Sequence, residues 1–276
     1  MASFASFLGI VMAAGLALAA AADPGLTGSI RKPGDSRDYP VSIRRFGPSP
    51  AIDAAKPSWL VIHGWRSSRE AENIRATAQA LFEARTEDQV LTLDWSAAAD
   101  TGILNPFSAE DGIVPVAEWA AAALQAASFA GTNLNLIGHS FGGYVADEIA
   151  FRVPNGVRSI VALDPAIDIP GGYNPVDAME VDFGRDSQFS WAFHSSTLGS
   201  ETTPISADEA FLVHTGLDAI SAHSAVVSLF AFMILNPFDP VASLFWLETL
   251  WLAQAGPWVP DQYGSSFVGE TSIRGY

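Results

Sequence analysis

The sequence predicts an α/β fold in which helices flank a mostly parallel sheet. Four short apolar runs have the length and composition of buried strands: SWLVIH (58–63), QVLTLD (89–94), 133–137 and 157–163. Three other segments have helical spacing or composition: 68–85, 116–129 and 142–151. Strands that alternate with helices of about 10–15 residues form βαβ units, and these units build a parallel sheet.

The remaining segments extend this domain without dividing it. Residues 39–46 are predicted to form a short strand, and the apolar stretch 225–235 a buried helix. Residues 241–255 are predicted to form another core helix; a lipid-contacting face is the alternative, although interfacial helices usually carry Lys or Arg. No repeat and no linker separates two units, so we expect residues 23–276 to form a single domain.

Composition limits the classes of function. The 276 residues are 49% hydrophobic and 16% charged, which supports a sizeable core and excludes a disordered polyelectrolyte. The formal net charge of −16 makes nucleic acid a poor partner because its phosphates are repelled, whereas neutral lipid stays compatible. The sequence contains no cysteine, so disulfides, thiolate catalysis and cysteine-ligated zinc are excluded.

Residues 1–22 carry no charged side chain and end in small residues. This pattern is typical of a signal peptide cleaved near Ala22, and it predicts a secreted or extracytoplasmic protein. The usual Lys or Arg ahead of the apolar stretch is missing. Two alternatives therefore remain: an uncleaved anchor, which about 20 apolar residues can form, and a simple N-terminal extension.

A sharp turn is predicted where the strand 133–137 meets the helix 142–151. It contains Gly138, Ser140 and Gly142, and the two glycines lack the Cβ atoms that would clash in so tight a reversal. The carboxyl ends of parallel strands form the reactive edge of such a sheet. The pattern matches the G-x-S-x-G nucleophile elbow, so Ser140 is the predicted nucleophile.

Two further groups are needed, because a serine hydroxyl requires a base and the base requires an orienting acid. In folds that contain this elbow, the chain order is Ser, then Asp or Glu, then His. Asp164 directly follows the strand 157–163 and lies 24 residues after Ser140 (164 − 140), about one helix and one strand. Asp164 is therefore the predicted acid.

Three downstream histidines are candidates for the base: His194, His214 and His223. His223 is preferred, because it lies in a polar stretch just before the apolar helix 225–235, and a loop that enters a helix normally presents the base. His194, which follows an apolar run, and His214 remain alternatives.

The pair His63-Gly64 ends the strand 58–63. In folds with a nucleophile elbow, a loop of this kind supplies one N–H group of the oxyanion hole, and the residue after the nucleophile supplies the other. The backbone N–H groups of Trp65 and Phe141 are therefore the predicted oxyanion donors.

Five segments carry a family resemblance: VIHGW (61–65), LTLDW (91–95), NLIGHSFGGYVAD (135–147), ALDPA (162–166) and, more weakly, AHSAVVSLF (222–230). They are similar to the pancreatic-lipase family of α/β hydrolases, which includes lipoprotein lipases and phospholipases A1. The resemblance extends over residues 58–235, approximately. It implies the α/β-hydrolase fold and a catalytic triad of Ser140, Asp164 and His223.

The chain departs from that family in the features around the site. A disulfide-pinned lid is typical of the family, whereas the candidate lid here, 199–210, is polar and short and the chain has no cysteine. Family members often bind a structural Ca²⁺ ion after the LDPA segment. Asp182 and Asp186 are its candidate ligands here. No cofactor is expected for catalysis.

The expected function is hydrolysis of acyl esters by a serine carboxylic-ester hydrolase through an acyl-enzyme. A triacylglycerol or phospholipid lipase and a carboxylesterase both fit this description. A catalytically inactive lipid-binding protein on the same fold is the alternative.

Overall fold

In the part of the chain that the structure describes, nine strands form one sheet in the order β1-β2-β4-β3-β5-β6-β7-β8-β9. Their bounds are Leu26–Ile30 (β1), Tyr39–Arg45 (β2), Ser58–Ile62 (β3), Gln89–Asp94 (β4), Leu134–His139 (β5), Ser159–Leu163 (β6), Ser190–His194 (β7), Glu209–His214 (β8) and Thr271–Arg274 (β9). Strand β2 pairs antiparallel with β1 and β4, and every other pairing is parallel. The predicted mostly parallel sheet is confirmed.

The computed structural model describes residues 25–49, 51–102, 107–167, 181–200, 203–214, 217–236 and 271–274. The predicted signal peptide, residues 1–22, and the predicted helix 241–255 lie outside the described residues. Within the described ranges, no helix is long and apolar enough to span a membrane.

Six α-helices flank the sheet in the described ranges: Glu72–Ala84 (α1), Ser96–Ala99 (α2), Phe107–Glu110 (α3), Ile113–Ala126 (α4), Phe141–Arg152 (α5) and Ala219–Leu235 (α6). Short 3₁₀ helices cover Gly131–Asn133 and Thr203–Ser206. The helices predicted over 68–85, 116–129 and 142–151 correspond to α1, α4 and α5, and their ends differ from the prediction by up to four residues.

Two apolar cores cover the two faces of the sheet. Along β3, Leu60 and Ile62 lie in the core that includes residues of α4 and α5, whereas Trp59 and Val61 lie in the core that includes residues of α1 and α6. All four side chains are buried, because helices cover both faces of a central parallel strand. This explains why the run reads as continuously apolar.

Helix α6 begins six residues earlier than its apolar stretch suggests, at Ala219 instead of 225. The carboxylate of Asp218 caps it by accepting hydrogen bonds from the amides of Ile220 and Ser221 at 3.1 Å each. His223 therefore lies inside the helix and not, as predicted, in a loop before it.

The segment proposed as a lid, 199–210, belongs largely to the body of the domain. Ser200 and Thr203 are buried, the 3₁₀ helix Thr203–Ser206 follows, and β8 starts at Glu209. Residues 201–202 lie outside the described ranges. The polar composition of this segment reflects its hydrogen bonds within the domain, such as the one from Thr203 Oγ1 to Ser200 Oγ at 2.7 Å.

Asp147 is a buried carboxyl group on α5, with 3% of the residue exposed. Its Oδ1 atom has no hydrogen-bond partner among the described residues. Burial, reinforced by the nearby charge of Glu148, raises the pKa of Asp147 to about 7. Asp147 therefore holds a proton in the folded protein at a pH where an exposed aspartate has lost it.

We predict that Asp147 makes stability fall as pH rises from about 4 to about 7. The folded-state pKa of about 7 exceeds the ordinary value of 3.8, so across this window the unfolded chain releases a proton that the folded protein retains. We expect the free energy of unfolding of Asp147→Asn to rise by a few kcal/mol relative to that of wild type between about pH 4.5 and about pH 8. Urea unfolding at the two pH values measures this difference. Glu83→Gln, at an exposed position on α1, is the control. An identical pH dependence in Asp147→Asn and wild type would contradict the prediction.

Candidate active site

Ser140 lies on a tight turn between β5, which ends at His139, and α5, which begins at Phe141. Its backbone angles are φ 57° and ψ −127°, a combination that residues other than glycine rarely adopt. The turn is possible because glycines allow close backbone approach: a Cβ atom on Gly138 would lie 2.1 Å from the carbonyl oxygen of Gly142. The amide of Ser140 donates to the carbonyl of Leu163 at 3.0 Å, which ties the turn to β6.

Asp164 follows β6 and is fully buried. Its φ is 45°, and its amide donates to the carbonyl of Phe193 on β7 at 2.7 Å. Because β6 lies next to β5 in the sheet, the acid and the elbow occupy neighbouring strand ends. The sequence prediction of this neighbourhood is confirmed by the strand order.

Residues 195–200, here called the acid loop, surround the carboxylate of Asp164. The amide of Ser195 donates to Oδ1 at 2.6 Å, and the hydroxyl of Ser196 donates to Oδ2 at 2.5 Å. A Cβ atom on Gly199 would lie 2.2 Å from Oδ1 of Asp164, so only glycine at position 199 lets the loop come this close to the carboxylate. Burial alone would raise the pKa of Asp164, but hydrogen bonds from His223 and Ser196 outweigh it and lower the pKa below its ordinary value.

His223 contacts both the acid and the elbow. Its Nδ1 lies 2.6 Å from Oδ2 of Asp164, and its ring packs on the ring of His139 with centroids 4.7 Å apart. A neutral imidazole that donates its Nδ1 proton to a carboxylate keeps its lone pair on Nε2. The tertiary structure thus brings the predicted acid, the predicted base and the residue before Ser140 into one cluster.

The other candidate histidines are arranged differently. His194 ends β7, and its Nδ1 lies 3.5 Å from Oδ1 of Asp164, too far for a well-formed hydrogen bond. His214 ends β8, and its side chain lies outside the described part of the structure. Of the two candidate histidines whose side chains are described, His194 and His223, only His223 makes a short contact with Asp164.

The predicted oxyanion loop lies directly against Ser140. A Cβ atom on Gly64 would be 2.6 Å from Cβ of Ser140 and 3.1 Å from its Oγ. Two hydrogen bonds fix His63, the first residue of this loop. Its backbone carbonyl accepts from Nε1 of Trp95 at 2.8 Å, and its Nε2 accepts from the Trp95 amide at 3.1 Å. The backbone of Trp65 follows this anchored pair.

Phe141, which carries the second predicted oxyanion donor, is the first residue of α5. The first amides of an α-helix have no partner inside the helix. They also lie at the positive end of its dipole, which favours negative charge. The position therefore suits a group that stabilises a developing oxyanion.

The predicted calcium ligands, Asp182 and Asp186, lie in the turn before β7. Oδ1 of Asp182 accepts from the Arg185 amide at 3.0 Å, and Asp186 pairs with the Arg185 guanidinium at 2.8 Å. In the described ranges, no group of three or more acidic, histidine or cysteine side chains is arranged to hold a metal ion. Because Ca²⁺ takes six to eight oxygen ligands, the carboxylates of Asp182 and Asp186 would need further ligands to complete a calcium site.

Sequence reasoning missed His139, Ser195 and Ser196, which contact the predicted base or acid. His139 occupies the second position of the G-x-S-x-G motif, which accepts any residue and therefore gives no signal. The two serines directly follow β7, which neighbours β6 in the sheet. Polar residues at the end of the strand next to the acid are the signal that points to them.

We predict that Gly138→Ala destabilises the protein by about 3 kcal/mol, because overpacking in a well-filled region costs roughly this much. The new Cβ atom would lie 2.1 Å from the backbone oxygen of Gly142, and this oxygen can move only if the elbow itself is displaced. Gly143→Ala is the matched control, since its Cβ atom would meet the nearest atom, Cβ of Pro165, at 3.4 Å. Urea unfolding measures both; equal stabilities of the two variants would refute the steric account.

The sequence model of the Lipase family matches residues 50–204, which are 155 of the 276 residues. No curated protein matches the sequence significantly. Among solved structures, the α/β hydrolase domain-containing protein 10 from mouse matches with 11% identity and a TM-score of 0.49, over 75% of this chain and 97% of its own. Est1E from Butyrivibrio proteoclasticus matches with 15% identity and a TM-score of 0.46, over 76% of this chain and 98% of its own. Similarity at this level gives no information about the activity of this chain. By the family match over more than half of its length, the chain belongs to the Lipase family and is a hydrolase of the lipase and esterase kind.

Proposed function

We propose that the protein is a serine carboxylic-ester hydrolase that works through an acyl-enzyme. The observation that supports this most directly is the 2.6 Å contact between Oδ2 of Asp164 and Nδ1 of His223, beside the turn that carries Ser140. A carboxylate that accepts the Nδ1 proton leaves Nε2 free to act as the general base. The contact supports His223 as the base in preference to His194.

In the proposed mechanism, Nε2 of His223 removes the proton of Ser140 as its Oγ attacks the acyl carbonyl carbon. The backbone N–H groups of Trp65 and Phe141 stabilise the oxyanion of the tetrahedral intermediate. His223 then protonates the departing alcohol, which leaves the acyl group on Ser140. Water attacks this ester with His223 again accepting the proton. His223 then returns that proton to Oγ of Ser140 as the carboxylic acid leaves. The Asp164 carboxylate stabilises the imidazolium that forms in both halves.

Exposed apolar side chains around the cluster support an acyl-ester substrate. Ile167 and Leu198 are 43% and 39% exposed, and the amide of Ile167 donates to the carbonyl of Leu198 in the acid loop at 2.7 Å. Ile220, three residues before His223 on α6, is 73% exposed. Such side chains are suited to contact a fatty-acyl chain. We therefore propose a glycerolipid ester, triacylglycerol or phospholipid, with a simpler carboxylic ester as the second candidate.

The proposed chemistry uses only side chains and backbone amides of this chain. A structural calcium ion at Asp182 and Asp186 is a separate proposal, and no catalytic step depends on it. Calcium titration followed by thermal unfolding tests it: a rise in the unfolding temperature that Asp182→Asn abolishes would support the site.

Export is proposed from the composition of residues 1–22. If they are a cleaved signal, expression of the full chain in a secreting bacterial host should give a protein whose first residue lies near Asp23. N-terminal sequencing measures this. A full-length chain retained in the membrane fraction would favour the anchor instead.

Fluorophosphonate labelling tests the nucleophile. We expect wild type to react irreversibly and Ser140→Ala not to react, because the probe traps only an activated serine. Ser68→Ala is the control, since its hydroxyl lies outside the cluster and accepts only from the Glu70 amide among the bonds described. A well-folded wild type that resists the probe, even with dispersed lipid present, would favour the inactive lipid-binding alternative.

Hydrolysis of p-nitrophenyl esters tests the acid and the base. Asp164→Asn should lower kcat by roughly 10⁴-fold and His223→Ala by roughly 10⁶-fold, as loss of the acid and of the base do in a catalytic triad. His194→Gln should have a much smaller effect; if it instead abolished activity while His223→Ala did not, the base would be His194.

Rates of hydrolysis of p-nitrophenyl esters with increasing acyl length separate a lipase, which favours long chains, from a short-chain esterase.

A further inference from the structure

Two consecutive carbonyl groups in α6 accept hydrogen bonds from side chains outside the helix. The hydroxyl of Ser195 donates to the carbonyl of Ala222 at 3.1 Å. Nε2 of His139 donates to the carbonyl of His223 at 2.8 Å. These carbonyls belong to the residue that carries the proposed base and to the residue before it.

Neither bond is needed to satisfy the helix. In an α-helix, the carbonyls of residues 222 and 223 accept from the amides of residues 226 and 227, and both lie inside the span Ala219–Leu235. The side-chain donors therefore make additional contacts, which fix the position of the first turns of α6. Because the carbonyls keep their helical partners, removing a donor leaves no buried carbonyl unsatisfied.

Each donor also belongs to one of the two segments that flank His223, the elbow and the acid loop. His139 directly precedes Ser140 in the elbow, and its ring packs on the ring of His223. Ser195 belongs to the acid loop, and its amide donates to Oδ1 of Asp164 at 2.6 Å. One contact therefore links α6 to the nucleophile, and the other links it to the acid.

His139 is suited to be a permanent donor. The residue is 7% exposed, and its Nδ1 has no hydrogen-bond partner among the described residues. Burial and the neighbouring His223 lower the pKa of His139 to about 3. The ring is therefore neutral in ordinary buffers, with its single proton on the nitrogen that faces the carbonyl.

We propose that His139 and Ser195 are positioning residues that hold His223 between Ser140 and Asp164. His139 sets the separation of the base from the nucleophile, and Ser195 sets its separation from the acid. The inference rests on the proposed function, since it assigns the residues that make the proposed triad work. Small displacements matter here, because misplacement of a reacting group by about 1 Å can cost roughly 10²-fold in rate.

Paired variants test each contact. His139→Phe keeps a ring and removes the donor, whereas His139→Gln keeps an amide donor; Ser195→Ala removes the hydroxyl, whereas Ser195→Thr retains it. We expect the two donor-deleted variants to react with fluorophosphonate about tenfold more slowly than wild type, and the donor-retaining variants to recover most of the rate. KM for a p-nitrophenyl ester should change little while kcat falls, since the substrate contacts are intact.

Ser221→Ala is the matched control for changes in α6 itself. The Ser221 hydroxyl donates to Asp218 in the exposed first turn of the same helix, at 2.7 Å, and it contacts neither the elbow nor the acid loop in the described bonds. Its labelling rate should equal that of wild type. Urea unfolding identifies any variant whose rate falls only because the protein has lost stability.

Proton NMR gives a readout that does not depend on turnover. The Nδ1 proton of His223, shared with Asp164, is expected to resonate far downfield in wild type and in Ser221→Ala, and to broaden or shift upfield in His139→Phe and Ser195→Ala. Wild-type labelling rates and an unchanged resonance in both donor-deleted variants would overturn the inference. An unlabelled wild type would instead contradict the proposed function, and the resonance would still decide whether the two residues position His223.

Discussion

The buried carboxylate of Asp164 is the constraint on which the arrangement of the site depends. A charged group with no exposed surface is tolerated only when hydrogen bonds replace its water. Here the amide of Ser195, the hydroxyl of Ser196 and the ring of His223 supply them. These partners come from the loop after β7 and from α6, so satisfying one carboxylate brings three parts of the chain together. The same bonds keep Asp164 ionised and give His223 a defined orientation.

The parallel sheet determines where this carboxylate can lie. Strands β5 and β6 are neighbours, and both end at the same edge, so the elbow and the acid emerge side by side. Strand β3 lies on the other side of β5, and the loop that follows it approaches Ser140 so closely that only glycine fits at position 64. The proposed nucleophile, acid and oxyanion donors therefore all come from adjacent strand ends, and α6 adds the base from one face of the sheet.

The segment 199–210 was the candidate lid by family resemblance, although its polar composition did not fit one. Its first residues, Gly199 and Ser200, belong to the acid loop, and Gly199 lies against Asp164. Its polarity provides donors for a buried charge. Three exposed apolar residues lie close to these groups in the chain: Ile167 bonds to Leu198 of the acid loop, and Ile220 precedes His223 by three residues on α6. A hydrogen-bonded cluster with exposed apolar side chains near it suits the proposed acyl-ester substrate.

Local patterns in the sequence were sufficient for the sheet class, for the elbow at Ser140 and for the position of Asp164 after its strand. Each depends on neighbouring residues alone: apolar runs, glycines in a tight turn, and a polar residue at a strand end. The roles of these residues in catalysis stay predictions. The start of α6 was misjudged, because its apolar face begins later than the Asp218 cap. The contacts of His223 with His139 and Asp164 join residues that are 84 and 59 positions apart. Such contacts follow from strand order and loop path, which no local pattern encodes. The sequence preferred His223 to His194 only from its position before a helix, and the tertiary structure supplied the contact with Asp164 that supports this choice and revealed His139 and Ser195.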